Sequence, residues 1–281
     1  MVFEQIFGVR WLEKKPGLTF LLGFIYAELG IISALIIFPE DPSLISIGFI
    51  SLLILPSLNS LLSLEANQDM REKRFSLKML FKDHYDILEV YAFLFLGILF
   101  AYALFAILLP PGVTARLFHT QLDIYYSNVG NAVGQAYAGL AGCQSCEFWS
   151  ILFNNIKVIL VCFIFSLVYG AGSILFLTWN ASVWGTIFGF VTKRTTEVSA
   201  NLLYFGQVML AVFPHMITEA MSYFLAVFAG GIISKAVIRE RFDTKRFNHV
   251  VLDGIIMFGL GILLLVLAAY LEVYIFPLLN F

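Results

Sequence analysis

Charge is what this chain has least of. Asp, Glu, Lys and Arg make up only 13% of its 281 residues, against 60% hydrophobic residues and a mean hydropathy of +0.89. A soluble domain carries about a quarter of its residues as charges, so a water-soluble globular fold is excluded. No stretch is basic enough, with interleaved aromatics, to argue for nucleic acid as a partner. Cysteine is limited to three residues. Cys162 lies in an apolar run and reads as packing. Cys143 and Cys146 form a C-x-x-C in a polar loop; a disulfide, free thiols and metal or redox use all remain open, although no further metal ligand is close in sequence. The first apolar run lacks an Ala-x-Ala exit and is too long for a signal-peptide core, so it reads as a retained signal anchor.

What is present is apolar sequence in long runs. Clear segments cover Gly17–Phe38, Leu44–Leu64, Ile87–Leu109, about Ile151–Trp179, Pro214–Ser234 and Gly254–Phe276. Two shorter pieces, Asn180–Thr192 and Asn201–Phe213, fall below the ~20 residues that a membrane crossing needs. Paired short segments predict discontinuous or re-entrant helices. The expected fold is therefore all-α: a polytopic transmembrane helical bundle of about six or seven membrane segments, including broken or re-entrant helices. It forms one integral membrane domain over 1–281. Three N-terminal spans fill 1–109, an extracytoplasmic amphipathic segment covers 110–147, and a core with broken helices covers 148–281. Segment 110–147, with Leu117, Phe118, Tyr125, Tyr126, Tyr137, Arg116 and His119, reads either as a short amphipathic helix on the outer surface or as a cap packed on the helix ends; His119 reads as solvated.

The few charges are sorted by side. Arg10, Lys14 and Lys15, then Arg71, Lys73, Arg74, Lys78 and Lys82, then Lys235, Arg239, Arg241, Lys245 and Arg246 hold 13 of the 17 basic residues. Cytoplasmic loops carry the excess of Lys and Arg, so the N-terminus is expected in the cytoplasm. With seven segments the C-terminus is extracytoplasmic, and Lys193 and Arg194 then face outward against that rule. The setting is a cell membrane and the first partner is the lipid bilayer.

Polar residues inside apolar runs are the functional candidates, because ionisable groups at bilayer depth are costly to keep. Between Glu197 and Lys235 only His215 and Glu219 can carry charge. A helix over that whole run would exceed a ~30 Å hydrocarbon core, so the chain is expected to break at Pro214. His215 and Glu219 stand at i and i+4, on one helical face. Three readings are open: a buried hydrogen-bonded network, a proton or ion relay with Glu28 as partner, and a hydrolytic metal site with His215 as ligand and Glu219 as ligand or base. The last is not an H-E-x-x-H pattern, and two ligands do not fill a zinc shell. Asn154 and Asn155 open the fourth segment as cap or interhelical donors, Lys157 reads as snorkelling to the interface, Asn180 and Asn201 flank the short pieces, and His249 lies on the basic side. Gly185 and Gly189, like Ala226 and Gly230, have helix-packing spacing, although glycine is also simply common in membrane helices.

The run Phe153-Asn154-Asn155-Ile156-Lys157, the small residues Gly170-Ala171-Gly172, Asn180, the Gly185/Gly189 piece and Pro214-His215-x-x-x-Glu219 together resemble the stage II sporulation protein M family, including its archaeal homologues. The likeness covers roughly Cys146 to Phe281. Members typically show Asn-Asn at the start of this helix, Asn-Gly at its end and Pro-His-Gly-x-x-Glu later. Here Ala181 and Met216 stand where glycines are usual, which implies looser backbone demands. The resemblance implies a multi-pass membrane protein; in spore formers the member acts with peptidoglycan-degrading partners during engulfment. It implies no catalytic activity and no cofactor. Three functions follow for test: a non-enzymatic scaffold or assembly factor in envelope remodelling, homo-oligomeric and partnered by other membrane or envelope proteins; a transporter or channel using Glu28, His215 and Glu219; and an intramembrane metal-dependent hydrolase.

Overall fold

The structure is a computed structural model that describes residues 15, 17–69, 77–127, 143–193, 198–239 and 244–275. Arg10, Lys14, Arg71, Lys73, Arg74, Tyr137, Arg194 and Arg241 lie outside them. Among the described residues every element is helical, with no strand: α1 (Leu18–Ile37), α2 (Pro42–Asp69), α3 (Leu77–Leu108), α4 (Pro111–Leu117), α5 (119–127), α6 (Gln144–Tyr169), a 3-10 turn (Gly170–Ser173), α7 (Ile174–Lys193), α8 (Val198–Arg239) and α9 (Lys245–Tyr270), which runs into one π turn, Leu271–Ile275. Hydrocarbon offers no hydrogen bonds, so an open membrane-spanning chain has to satisfy its backbone within each helix. Local signals place the ends. Pro110 and Pro111 stand at the start of α4. Cys143 sulfur accepts from the Cys146 N–H at 3.3 Å, and Thr244 Oγ1 from Phe247 N–H at 3.1 Å, so both α6 and α9 begin on a side-chain cap.

Among the described residues seven helices are long and apolar enough to cross a membrane: α1, Pro42–Leu61 of α2, Tyr85–Leu108 of α3, α6, α7, Tyr204–Ile238 of α8, and Phe247–Ile275. The chain is thus an all-α polytopic bundle, but three boundaries differ from the sequence expectation. The fourth segment does not run to Trp179. Gly170 adopts φ +58°, a conformation open to glycine at little cost, and α6 stops there. The residues up to Trp179 instead start α7, so Asn180–Thr192 is the distal part of a full-length helix of 20 residues. Asn201–Phe213 likewise joins Pro214–Ser234 in the single 42-residue helix α8, with Pro214 inside it. Pro214 therefore does not break the chain. A proline removes one N–H from the ladder, and in apolar helices neighbouring hydroxyls and helices absorb that loss. Two full helices in place of two short pieces remove the ground for a re-entrant hairpin. The true interruption, at Gly170–Ser173, is lined by buried Ser166 and Ser173, whose hydroxyls each lie 3.2 Å from the Gly170 carbonyl oxygen; Ser166 also reaches the Val227 carbonyl.

Helix α8 packs along α9 and α6, α7 packs along α3, and α1 packs on α2 and α3. All residues from Ser222 to Ser234 are buried, the pattern of a helix enclosed on every side. An aromatic seam ties the two halves: Phe224 of α8 meets Tyr91 and Phe95 of α3 at 6.1 and 5.5 Å, and Phe95 meets Trp184 of α7 at 5.7 Å. The helices run alternately up and down. Lys193 at the end of α7 donates to the Leu109 carbonyl at the end of α3, and Lys235 late in α8 donates to Asn59 Oδ1 late in α2 at 2.7 Å. Lys193, the cation at odds with the charge rule, thus sits on the carbonyl end of a helix, where positive charge is favoured. Helices α4 and α5 form a packed cap. Leu117 and Phe118 are wholly buried, Phe118 lies 5.4 Å from the Tyr102 ring, and Gln121 accepts from Ser43 at 2.7 Å while donating to Ser182 at 3.3 Å. Residues 128–142 of that segment lie outside the described residues.

Close backbone approach sets the α3–α7 contact. Gly185 lies against the Leu99 carbonyl, and a Cβ at Gly189 would stand 2.5 Å from the Ala103 carbonyl oxygen. Gly230 of α8 meets the Phe163 carbonyl of α6 in the same way. These glycines act in packing, one of the two sequence readings. Gly189→Leu is expected to destabilise the purified protein by about 1–3 kcal/mol, the usual cost of overpacking, measured as thermal unfolding in detergent. Gly206→Ala, inside the same kind of helix but where the added carbon meets open space, should cause no loss of stability. Equal stability of the two variants would contradict this packing.

Candidate functional site

Helix α8 carries His215, Glu219 and Tyr223 at successive four-residue steps, which stacks them on one face. The π turn at the end of α9 brings Glu272 to the same place. One ligand atom each from His215, Glu219 and Glu272 lies within 4.8 Å of the others. π turns are rare and recur at functional sites; this one redirects the last turn of α9 where Glu272 stands. Glu219 is 7% exposed, and Tyr223 OH donates to its Oε1 at 2.6 Å. The Trp184 ring of α7 faces the imidazole of His215 edge-on, centroids 6.5 Å apart. Around the cluster the hydroxyls turn back onto their own helix. Thr218 Oγ1 lies 3.0 and 2.8 Å from the Pro214 and His215 carbonyl oxygens, and Ser222 Oγ donates to the Glu219 carbonyl at 2.7 Å. Proline thus sits in a locally reinforced stretch of helix.

The electrostatics are one-sided. Neither Glu219 nor Glu272 is paired with a lysine or arginine among the described residues. Two carboxyl groups beside one imidazole in an apolar bundle can share protons or hold a cation. Two ionised carboxylates with neither would be heavily penalised.

Of the residues singled out by sequence, the structure brings together His215 and Glu219 and leaves the others elsewhere. Glu28 is half-buried on α1 and is not part of the cluster. Asn154 is exposed on α6 while Asn155 is buried; neither caps α6, which begins ten residues earlier at Gln144. Asn180 Nδ2 donates to the Phe176 carbonyl of its own helix at 2.8 Å. Lys157, with Asn180, supplies the polar lining of an otherwise apolar crevice of about 610 Å³ between α2, α6 and α7. Cys143 and Cys146 are joined in a disulfide over the first turn of α6, and Cys162 is a buried free thiol. His119 is exposed, 3.8 Å from Asp41. His249 pairs with Asp253 one turn along α9 at 3.5 Å, away from the cluster. Two site residues were not singled out from sequence. Glu272 carried the same signal as Glu219, being the lone acid inside the apolar run Gly254–Phe276. Tyr223 had only its spacing from Glu219.

Removing the phenol oxygen tests the bond to Glu219. Tyr223→Phe keeps the ring and leaves a buried carboxyl oxygen without its donor, an omission that costs about 1–3 kcal/mol. The expected result is a lower unfolding temperature in detergent; an unchanged one would show that the bond does not form.

Comparison with curated proteins and with solved structures gives no match. Residues 90–277, about two thirds of the chain, match the family described as Stage II sporulation protein M. The matched stretch runs from α3 through the π turn and so contains the whole cluster of His215, Glu219, Tyr223 and Glu272. This multi-pass membrane protein therefore belongs to the Stage II sporulation protein M family.

Proposed function

We propose that the chain is a non-enzymatic membrane scaffold that works as a homo-oligomer and assembles other membrane or envelope proteins during envelope remodelling. The observation that carries this reading is that Glu28 stands apart from the cluster of His215, Glu219 and Glu272. Transport through a bundle needs polar groups in series across it, as relays and ion paths do. Here Glu28 stands on α1, packed with α2 and α3, while His215, Glu219 and Glu272 meet on α8 and the π turn. The seam between them is aromatic: Tyr91, Phe95, Trp184 and Phe224. Glycine-to-carbonyl contacts at two helix pairs, α3–α7 and α6–α8, favour a rigid body over one that rocks between two states. Family membership supports the scaffold role further, since the resemblance links the family to assemblies that act on the envelope. Orientation follows from the sorting of basic residues: N-terminus in the cytoplasm, the Cys143–Cys146 disulfide and the C-terminus outside, where oxidised cysteines persist.

Reconstitution separates this from transport. Proteoliposomes holding the chain are expected to leak protons and monovalent cations no faster than protein-free vesicles, with no change in Glu219→Gln. Cross-linking in native membranes is expected to trap a discrete multiple of the chain mass. A flux that Glu219→Gln abolishes would establish transport and overturn the scaffold reading.

A further inference from the structure

We infer that His215, Glu219 and Glu272 form a binding site for one divalent transition-metal cation of the zinc type, with Tyr223 as the positioning residue for Glu219. Three observations meet here. The first is convergence. Glu272 comes from a different segment than His215 and Glu219, yet all three present ligand atoms within 4.8 Å of one another. An ion with bonds of ~2.0–2.2 Å holds its ligands roughly 3–4 Å apart, so a small inward movement of these side chains closes the shell. The second is charge. Two carboxyl groups and an imidazole share one apolar pocket, and no lysine or arginine among the described residues reaches either acid. A divalent ion supplies the missing positive charge at the one point common to all three. The third is the outer shell. Tyr223 OH fixes one oxygen of Glu219 at 2.6 Å and leaves the other for an ion. Ligating carboxylates are typically held by such second hydrogen bonds.

The donor set selects the ion. One imidazole nitrogen and two carboxylate oxygens suit zinc, manganese or cobalt, while calcium and magnesium prefer oxygen alone. Three protein ligands leave a coordination position for water or for a group from a partner. A bound ion would clamp the middle of α8 to the end of α9, beside the start of α6, where Phe148 meets Tyr274 at 6.3 Å. The π turn has a purpose in this arrangement, since it is the element that presents Glu272 to α8. The inference stands apart from the scaffold reading: an ion clamp is compatible with a scaffold and with a transporter, so either can fail alone.

The test uses the full chain in detergent or nanodiscs, stripped with chelator and titrated with Zn²⁺ and with Mn²⁺ by calorimetry, with elemental analysis for stoichiometry. One ion per chain is expected. Tyr223→Phe is expected to weaken binding roughly 10–100-fold, and Glu272→Gln to remove stoichiometric uptake. Glu28→Gln and a Cys143→Ser, Cys146→Ser double variant should bind as the wild type does. X-ray absorption of the loaded wild type needs no variant to fold, and is expected to show nitrogen and oxygen neighbours with an imidazole signature. Folded wild-type protein that takes up no ion, uptake preserved in Glu272→Gln, or sulfur in the metal shell would each overturn the site.

Discussion

A charged or hydrogen-bonding group carried into hydrocarbon has to find its partner within the protein, because no solvent is there to supply one. In this bundle that constraint bears hardest on Glu219. It is almost wholly buried on the most enclosed helix, and its partners are the Tyr223 phenol on its own face and the acid and imidazole beside it. Much of the surrounding architecture brings those groups to one point. Helix α8 has to be regular from His215 to Tyr223 for His215, Glu219 and Tyr223 to stack. Helix α9 has to widen into a π turn for Glu272 to meet them. Helix α7 has to turn back at Gly170 and rise beside α3 for Trp184 to close the wall.

The supporting contacts are of the kind that lets helices associate where apolar burial gives no net drive. Lipid tails are as apolar as leucine, so helices in a membrane gain by close packing and by interhelical hydrogen bonds. Glycine against carbonyl at α3–α7 and α6–α8 supplies the first. Ser43 to Gln121 to Ser182, Ser46 to Tyr102 at 2.8 Å, and Lys193 to Leu109 supply the second. These bonds sit where α2, α3, α5 and α7 meet, so the cap of α4 and α5 is fastened to the helices beneath it. The proposed metal site and the proposed rigid scaffold are physically compatible: a preorganised shell needs ligands on elements that do not move.

Much of this was legible in the sequence, for identifiable reasons. Long apolar runs and sorted charges fixed the class, since hydropathy and basic loops report directly on bilayer partition. His215 and Glu219 stood out because ionisable residues in such runs are few. Helix boundaries around Gly170 and Pro214 were not legible. Hydropathy alone does not distinguish one long run from two helices joined by a tight turn, so the residues between Gly170 and Trp179 were assigned to the wrong helix, and the piece after Asn180 looked too short to cross. Pro214 marks a missing N–H, but sequence does not show whether neighbours hold the helix together around it. Glu272 was missed although it obeyed the same rule as Glu219, because the run that holds it looked like an ordinary last span. The fourth-segment asparagines misled for a related reason: Asn154 and Asn155 stand at the start of an apolar run, not at the start of the helix.

The central claim is that acids from two separate segments share one buried site. A double-mutant cycle on Glu219→Gln and Glu272→Gln, read as unfolding free energy of the purified chain, tests it most directly. Groups in contact give coupling energies of about 0.5–3 kcal/mol, while distant ones add. Strong non-additivity, with the second substitution costing far less once the first is made, is the expected result. Strictly additive effects would place the two carboxyls apart and contradict the site.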